Sequence, residues 1–199
     1  MTLRVLDLFS GFGGASQAFL DAGDDVLRIE NNPLLNNVPN THMMDVEDLL
    51  QMLQEYAVAR GPERYDLVWA SPPCLEFSQA YAAPGPTARR EGVEFEPNMN
   101  PMRCAKEIID LLQPKWWVIE NVRGACPHFN AELGKPAQVI GPLVLWGRVP
   151  ELKLPEGYTH RKADQDKRWS PLRANHRALI PLEVSAALRR AIVSQTQIV

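Results

Sequence analysis

The sequence predicts an α/β protein built on a doubly wound, mostly parallel sheet. Short, nearly continuous apolar runs such as 3–9, 66–70 and 116–119 read as strands buried on both faces. Stretches with helical spacing, such as 46–60 and 102–112, lie between them. The turns after the runs are rich in Gly, Pro and Asn, and the alternation of the two patterns points to strands joined by crossover helices.

At 199 residues the chain is one domain with at most a small appendage, long enough to bury a proper core. Its hydrophobic fraction of 45% and charged fraction of 23% are those of an ordinary water-soluble globular protein. No apolar run approaches the roughly 20 residues of a membrane span. Residues 1–5 lead straight into a strand without a signal-peptide layout. Three cysteines without paired spacing argue against a disulfide framework and a zinc site, so no metal is expected and a reducing cytoplasm is the default. The net charge of −3 is unevenly spread: residues 1–100 hold 6 Lys+Arg against 15 Asp+Glu, and residues 101–199 hold 15 against 9. An acidic half suited to a small molecule is thus joined to a basic, phosphate-facing half.

The first run ends in Ser10-Gly11-Phe12-Gly13-Gly14, a turn whose glycines let backbone N–H groups approach a bound cofactor. A helix follows over 16–22, with Gly23 at its end. The spacing is not G-x-G-x-x-G, so no dinucleotide is implied. The second strand, 25–30, ends on Glu30, 16 residues past Gly14, where an acid commonly accepts hydrogen bonds from a ribose. Residues 34–41 read as a loop, and 42–45 as a short third strand that sets Asp45 where a cofactor base is read. The helix over 46–60 stops at Gly61-Pro62.

The fourth strand, 66–70, runs into Ser71-Pro72-Pro73-Cys74. Two prolines stiffen that turn and hold a lone thiol at a strand's C-terminal edge, where open α/β sheets bind ligands. Residues 82–100 hold Pro84, Pro86 and Pro97 with Arg89-Arg90; this composition predicts an irregular loop able to act as a lid. After the helix 102–112, the fifth strand, 116–119, delivers Glu120-Asn121-Val122 to the same edge as Cys74. Residues 139–147 predict one or two more strands, 152–167 a basic loop, and 182–193 a terminal helix opened by Pro181.

Asp7-Leu8-Phe9-Ser10-Gly11-Phe12-Gly13-Gly14, Pro72-Pro73-Cys74 and Glu120-Asn121-Val122, in that order, resemble the DNA cytosine-5 methyltransferase family, particularly its short phage-like members. The resemblance implies a Rossmann-like fold that binds S-adenosylmethionine. Phe9 would lie against its adenine, Gly11, Gly13 and Gly14 around its methionine part, Glu30 on its ribose and Asp45 on its adenine amino group. Asp7, Leu8, Ser10, Asn31, Val46, Ser71 and Pro72 complete the donor site by the same resemblance. Cys74 would attack carbon 6 of a cytosine flipped out of duplex DNA, and Glu120 would bond its N3 and exocyclic amine, with Asn121 beside it. Ser78, Arg89, Arg90, Arg123, Lys162 and Arg168 would meet the nucleic acid.

The sequence departs from that family's pattern in four places. Leu75 and Glu76 follow the cysteine where glutamine is usual. The arginine-x-arginine motif has no clear match, Arg161 being the best candidate and Arg168 the next. The last motif, over 177–181, lacks its usual Gly-Asn. The recognition region is short. The expected organisation is a catalytic core over 1–123, a reduced recognition region over 124–179 and a returning helix over 180–199. This predicts methylation of DNA with short or relaxed sequence preference, in a bacterial or phage-infected cell and associated with the nucleoid. The alternatives are an RNA or modified-cytosine methyltransferase, or a catalytically weak DNA-binding homologue or subunit that needs a partner.

Overall fold

Each predicted apolar run is a strand because helices cover both its faces. The computed structural model describes residues 2–60, 64–160 and 169–196. Its strands are β1 (Arg4–Leu8), β2 (Asp25–Glu30), β3 (Thr41–Met43), β4 (Leu67–Ala70), β5 (Trp116–Val122), β6 (Gln138–Ile140) and β7 (Leu143–Arg148). They form one seven-stranded sheet in the order β3-β2-β1-β4-β5-β7-β6. The first five are parallel, β7 runs antiparallel to β5, and β6 antiparallel to β7.

Strand alternation divides the core into two layers. Leu6, Leu8, Val68, Ala70 and Ile119 face α2 (Val46–Arg60), α4 (Asn100–Leu112) and α5 (Cys126–Leu133). Val5, Leu67, Trp69 and Val118 face α1 (Gln17–Asp21) and α7 (Leu182–Thr196). Among the described residues, no helix is long and apolar enough to cross a membrane.

The chain order reverses between β1 and β4, so the turns after these two neighbouring strands open a crevice at the sheet's C-terminal edge. α7 closes that edge from the far end of the chain. Its Ser185 hydroxyl donates to the Ala15 carbonyl (2.7 Å) and accepts from the Ala18 N–H (3.1 Å). Arg189 pairs with the buried Asp24 at 2.7 Å. A Cβ on Gly14 would stand 2.3 Å from the Ile180 carbonyl, so the chain entering α7 packs directly on the glycine turn.

One expectation fails. Residues 82–100 are not irregular throughout: α3 (Pro84–Glu91) is a helix, ended by Gly92 in the left-handed region at φ 69°. Pro84 and Pro86 lie in its first turn, where the missing N–H groups would have had no helical partner, so they start the helix rather than prevent it. Two further short helices have no counterpart in the sequence reading: α5, and α6 (Arg173–Arg177). Residues 138–148 complete the sheet as β6 and β7, with the bend at Gly141-Pro142.

Candidate active site

The site begins with a buried charge. Arg28 stands within β2 and is fully buried, a costly position for a guanidinium unless its donors are satisfied. Its Nε donates to the Ser16 hydroxyl (2.9 Å), Nη2 to the Gly13 carbonyl (2.9 Å) and Gln17 Oε1 (3.0 Å), and Nη1 to the Pro39 carbonyl (3.0 Å). The Ser16 hydroxyl in turn donates to Asp7 Oδ2 at 2.6 Å. Burial pushes the Asp7 carboxyl up to about 7, although the Ser16 bond and the Arg28 charge pull it down.

This network braces the glycine turn from below. Gly13 has φ 74°, and a Cβ there would lie 2.2 Å from Arg28 Cζ, so glycine is required twice over. Arg28→Met is expected to destabilise the fold by about 3–5 kcal/mol, since it strands the Gly13 carbonyl and Asp7; urea denaturation measures this.

Glu30 ties the turn to β2 from above. Its Oε2 accepts from the Gly11 N–H (2.8 Å), and its Oε1 from the N–H groups of Asn31 (3.1 Å) and Asn32 (2.9 Å). A carboxylate has about four lone-pair sites, so one remains for a ligand hydroxyl. Asp45 caps α2 through the Glu47 N–H (2.9 Å) and accepts from Asn31 Nδ2 (2.8 Å). Asn31, Pro33, Asn36, Met43, Met44 and Asp45 line an open cleft of about 380 Å³. Phe9 adopts φ 56°, a sparsely populated conformation for a side chain of its size, and its ring packs on the core. Leu8 and Val46 are buried in that core. Asp7 Oδ1 and Ser10 Oγ are buried beside the turn and have no hydrogen-bond partner there.

The Cys74 turn follows β4 one strand away. The Ser71 N–H donates to the Leu8 carbonyl (3.1 Å), and Asn121 Nδ2 donates to the Pro72 carbonyl (3.0 Å). Asn121 is therefore a clamp that locks the Cys74 turn to β5. Cys74 is half-buried and opens a short 3-10 helix, Leu75–Phe77. Burial and the neighbouring Glu120 charge push its thiol up, while Arg177 pulls it down. Glu120 is buried, and burial pushes its carboxyl up to about 7 against the lowering effect of its Ser71 hydrogen bond. The structure thus brings to adjacent strand ends a thiol whose ionisation is pushed up by burial and a carboxyl that titrates near 7.

Gly124 closes this side. A Cβ there would stand 1.9 Å from the Phe77 carbonyl. Gly124→Ala should displace the Cys74 turn and destabilise the protein by about 1–3 kcal/mol, read as a lower thermal midpoint.

Of the predicted nucleic-acid residues, Ser78, Arg89, Arg90 and Arg123 are among the described residues. The Ser78 hydroxyl accepts from the Ala80 N–H at 3.2 Å. Arg90 lies 3.9 Å over the exposed Tyr81 ring, with Arg89 beside it on α3. Arg123 donates twice to the Gly141 carbonyl, at 3.1 and 2.8 Å. Arg161, Lys162 and Arg168 lie outside the described residues. Sequence reasoning missed Arg28, although a lone charge inside an apolar strand is a signal for a buried partner such as Asp7. It also missed α6, which lies over the glycine turn: His176 stacks on Phe12 with ring centroids 4.5 Å apart. Asn175 Nδ2 lies 3.9 Å from the place of a Gly11 Cβ.

The C-5 cytosine-specific DNA methylase family matches residues 3–136, the span that holds the glycine turn, Cys74 and Glu120. The type II methyltransferase M.HgiDI of Herpetosiphon aurantiacus is 30% identical over 166 residues, which is 76% of this chain and 50% of that protein. A probable DNA (cytosine-5)-methyltransferase of Frog virus 3 (isolate Goorha) is 32% identical over 125 residues, 60% of this chain and 53% of that one. The tRNA (cytosine(38)-C(5))-methyltransferase of Mus musculus is 26% identical over 132 residues, 61% of this chain and 31% of that one. The chain spans about half the length of the first two of these relatives. With two thirds of its length matched, and the matched span carrying both halves of the site, the chain belongs to the C-5 cytosine-specific DNA methylase family.

Proposed function

We propose that the protein transfers a methyl group from S-adenosylmethionine to carbon 5 of a cytosine in DNA, through a covalent bond between Cys74 and carbon 6 of the ring. The observation that carries this reading is the pairing of Cys74 with a buried carboxyl, Glu120, that titrates near 7 at the next strand end.

The residues around the glycine turn suit the donor. Asp7, Glu30 and Asp45 make this edge acidic, as a cationic sulfonium requires, and the unpartnered Asp7 Oδ1 and Ser10 Oγ offer polar atoms to a ligand. Glu30 keeps acceptor capacity for a ribose, and the cleft between Asn31 and Asp45 holds a flat ring against Pro33 and Met44. S-Adenosylmethionine, when bound, supplies an electrophilic methyl group. The chain does the rest. The Cys74 thiolate adds to carbon 6, a proton on Glu120 meets N3 as charge moves onto the ring, and carbon 5 becomes nucleophilic. Carbon 5 takes the donor's methyl group, the carbon 5 proton then passes to water, the carbon 6–sulfur bond breaks to release the Cys74 thiolate, and N3 returns its proton to Glu120 as the ring regains aromaticity.

Reaching Cys74 and Glu120 together requires the cytosine to leave the stack. Phosphates are held by Arg89 and the basic residues beyond Leu152. Because 138–148 complete the core sheet, sequence reading falls to the segments flanking Cys74 and those after Arg148, which favours a short recognition site. Labelled donor incubated with duplex DNA, single-stranded DNA and tRNA tests the reading. Methyl incorporation into duplex DNA, mapped by bisulfite sequencing to short sites, supports it; incorporation into tRNA alone would transfer the chemistry to the substrate named for the mouse relative.

A further inference from the structure

We propose that a cavity beside the Cys74 turn is a specificity pocket. It takes one unstacked nucleobase, a neighbour of the target cytosine on the same strand, and reads that base's edge through Gln79 and Glu76. The cavity has a volume of about 290 Å³ and is bounded by the chain leaving β4, the chain leaving β5, and α3 with the segment after it. Its walls include Phe77 and Gly124, three residues past Cys74 and four past Glu120. Three residues of 3-10 helix rise about 6 Å, which is one to two nucleotide steps of about 3.4 Å along a strand. A cytosine held at Cys74 therefore has a neighbouring base within reach of the cavity. Neither Cys74 nor Glu120 lines it, so it is separate from the place of the flipped cytosine.

The walls are tied to one another. Glu76 Oε2 accepts from the Asn98 N–H at 2.5 Å, which joins the Cys74 turn to the segment carrying Phe95 and Pro97. His128 on α5 packs on Phe77 with ring centroids 5.7 Å apart. Gly85, in the first turn of α3, keeps the space open, and a Cβ there would make only ordinary contact with the Phe95 ring at 3.5 Å.

The chemistry of the lining suits a base and not a phosphate. Phe95 is a large apolar side chain left exposed at the cavity, and an aromatic face stacks on any base. Glu76 brings a carboxylate, which repels phosphate, and its second oxygen is free to accept from an exocyclic amine. The Gln79 carboxamide supplies a donor and an acceptor, and among the described residues it has no hydrogen-bond partner. Thymine lacks an exocyclic amine, so it is disfavoured here. Arg89 stands exposed on the last turn of α3, where it meets the phosphate that stays outside.

The inference rests on cytosine in DNA as the substrate, and it assigns one position of the short recognition site. Duplexes with a single cytosine, and an abasic site at each neighbouring position in turn, are titrated with the full chain by fluorescence anisotropy. Loss of the recognised base should weaken binding roughly five- to hundredfold. Phe95→Ala removes the stacking face, and Gly85→Leu separately fills the pocket from α3. Each should weaken binding to the intact duplex and show no further loss with the abasic one. Methyl transfer to a library randomised on both sides of the cytosine then reads the edge. Thymine should be disfavoured at that one position, and Gln79→Ala should shrink the preference roughly fivefold or more while leaving other positions unchanged. Equal binding of intact and abasic duplexes by the unmodified chain overturns the proposal. So does a full abasic loss persisting in both pocket variants, indifference to thymine, or an unchanged preference in Gln79→Ala. If the unmodified chain shows the abasic dependence yet transfers no methyl group, the proposed function fails and the pocket stands.

Discussion

Cys74→Ala is expected to abolish methyl transfer, with a loss on the order of 10⁴-fold or more. Carbon 5 of cytosine is a weak nucleophile, and the adduct at carbon 6 is what activates it, so no smaller effect is compatible with a covalent route. The other two cysteines cannot substitute. Cys104 lies on α4 packed toward the core, and Cys126 starts α5 beyond Gly124. Duplex oligonucleotides containing 5-fluorocytosine, which cannot lose the carbon 5 substituent as a proton, should trap the unmodified chain as a covalent band in the presence of S-adenosylmethionine. The variant should give no band while binding the donor unchanged, because the Asp7, Glu30 and Asp45 side of the site is built from other elements. Turnover retained by Cys74→Ala would refute the mechanism.

Glu120→Gln should lower kcat/KM by roughly 10²–10³-fold and change the pH profile. Burial holds the Glu120 carboxyl up at about 7, with its Ser71 hydrogen bond acting the other way. The form able to donate to N3 is lost as pH rises through about 7, whereas the thiolate grows with pH. The unmodified chain should therefore show a bell-shaped kcat/KM profile whose two limbs belong to the coupled Cys74–Glu120 pair. The glutamine variant should keep the rising limb and lose the falling one. Stability follows the same sign. A carboxyl whose folded value exceeds its ordinary 4.5 contributes stability that is fully present below that value and lost as pH rises through about 7. Asp7, raised by burial from 3.8 to about 7, behaves alike. Part of the stability lost between pH 5 and 8 in denaturant titrations should disappear in Glu120→Gln; a persisting falling limb in the activity profile would remove Glu120 from its role.

Most of the fold was legible because its signals are local. Residues 25–30 and 46–60 carry their strand and helix in their own periodicity, and the structure forms both elements there. The glycine turn, Pro72-Pro73-Cys74 and Glu120-Asn121 announce themselves by residue types that only a tight turn or a reacting group requires. α3 shows where local composition misleads: proline forbids a helix interior but favours a helix start, and density alone does not separate the two.

The sequence by itself therefore determined the alternating α/β plan, the order of the motifs along the chain and the candidate chemistry at each strand end. Only the tertiary structure decided what braces and charges the site. Arg28 reads as an ordinary strand residue until Gly13, Ser16 and Pro39 fold around it. Asn121 becomes a clamp only when Pro72, 49 residues earlier, lies within 3.0 Å. α6 reaches the glycine turn because α7 docks on α1 through contacts separated by 167 and 170 residues. Such pairings depend on which surfaces bury each other, and no window of the chain contains both partners.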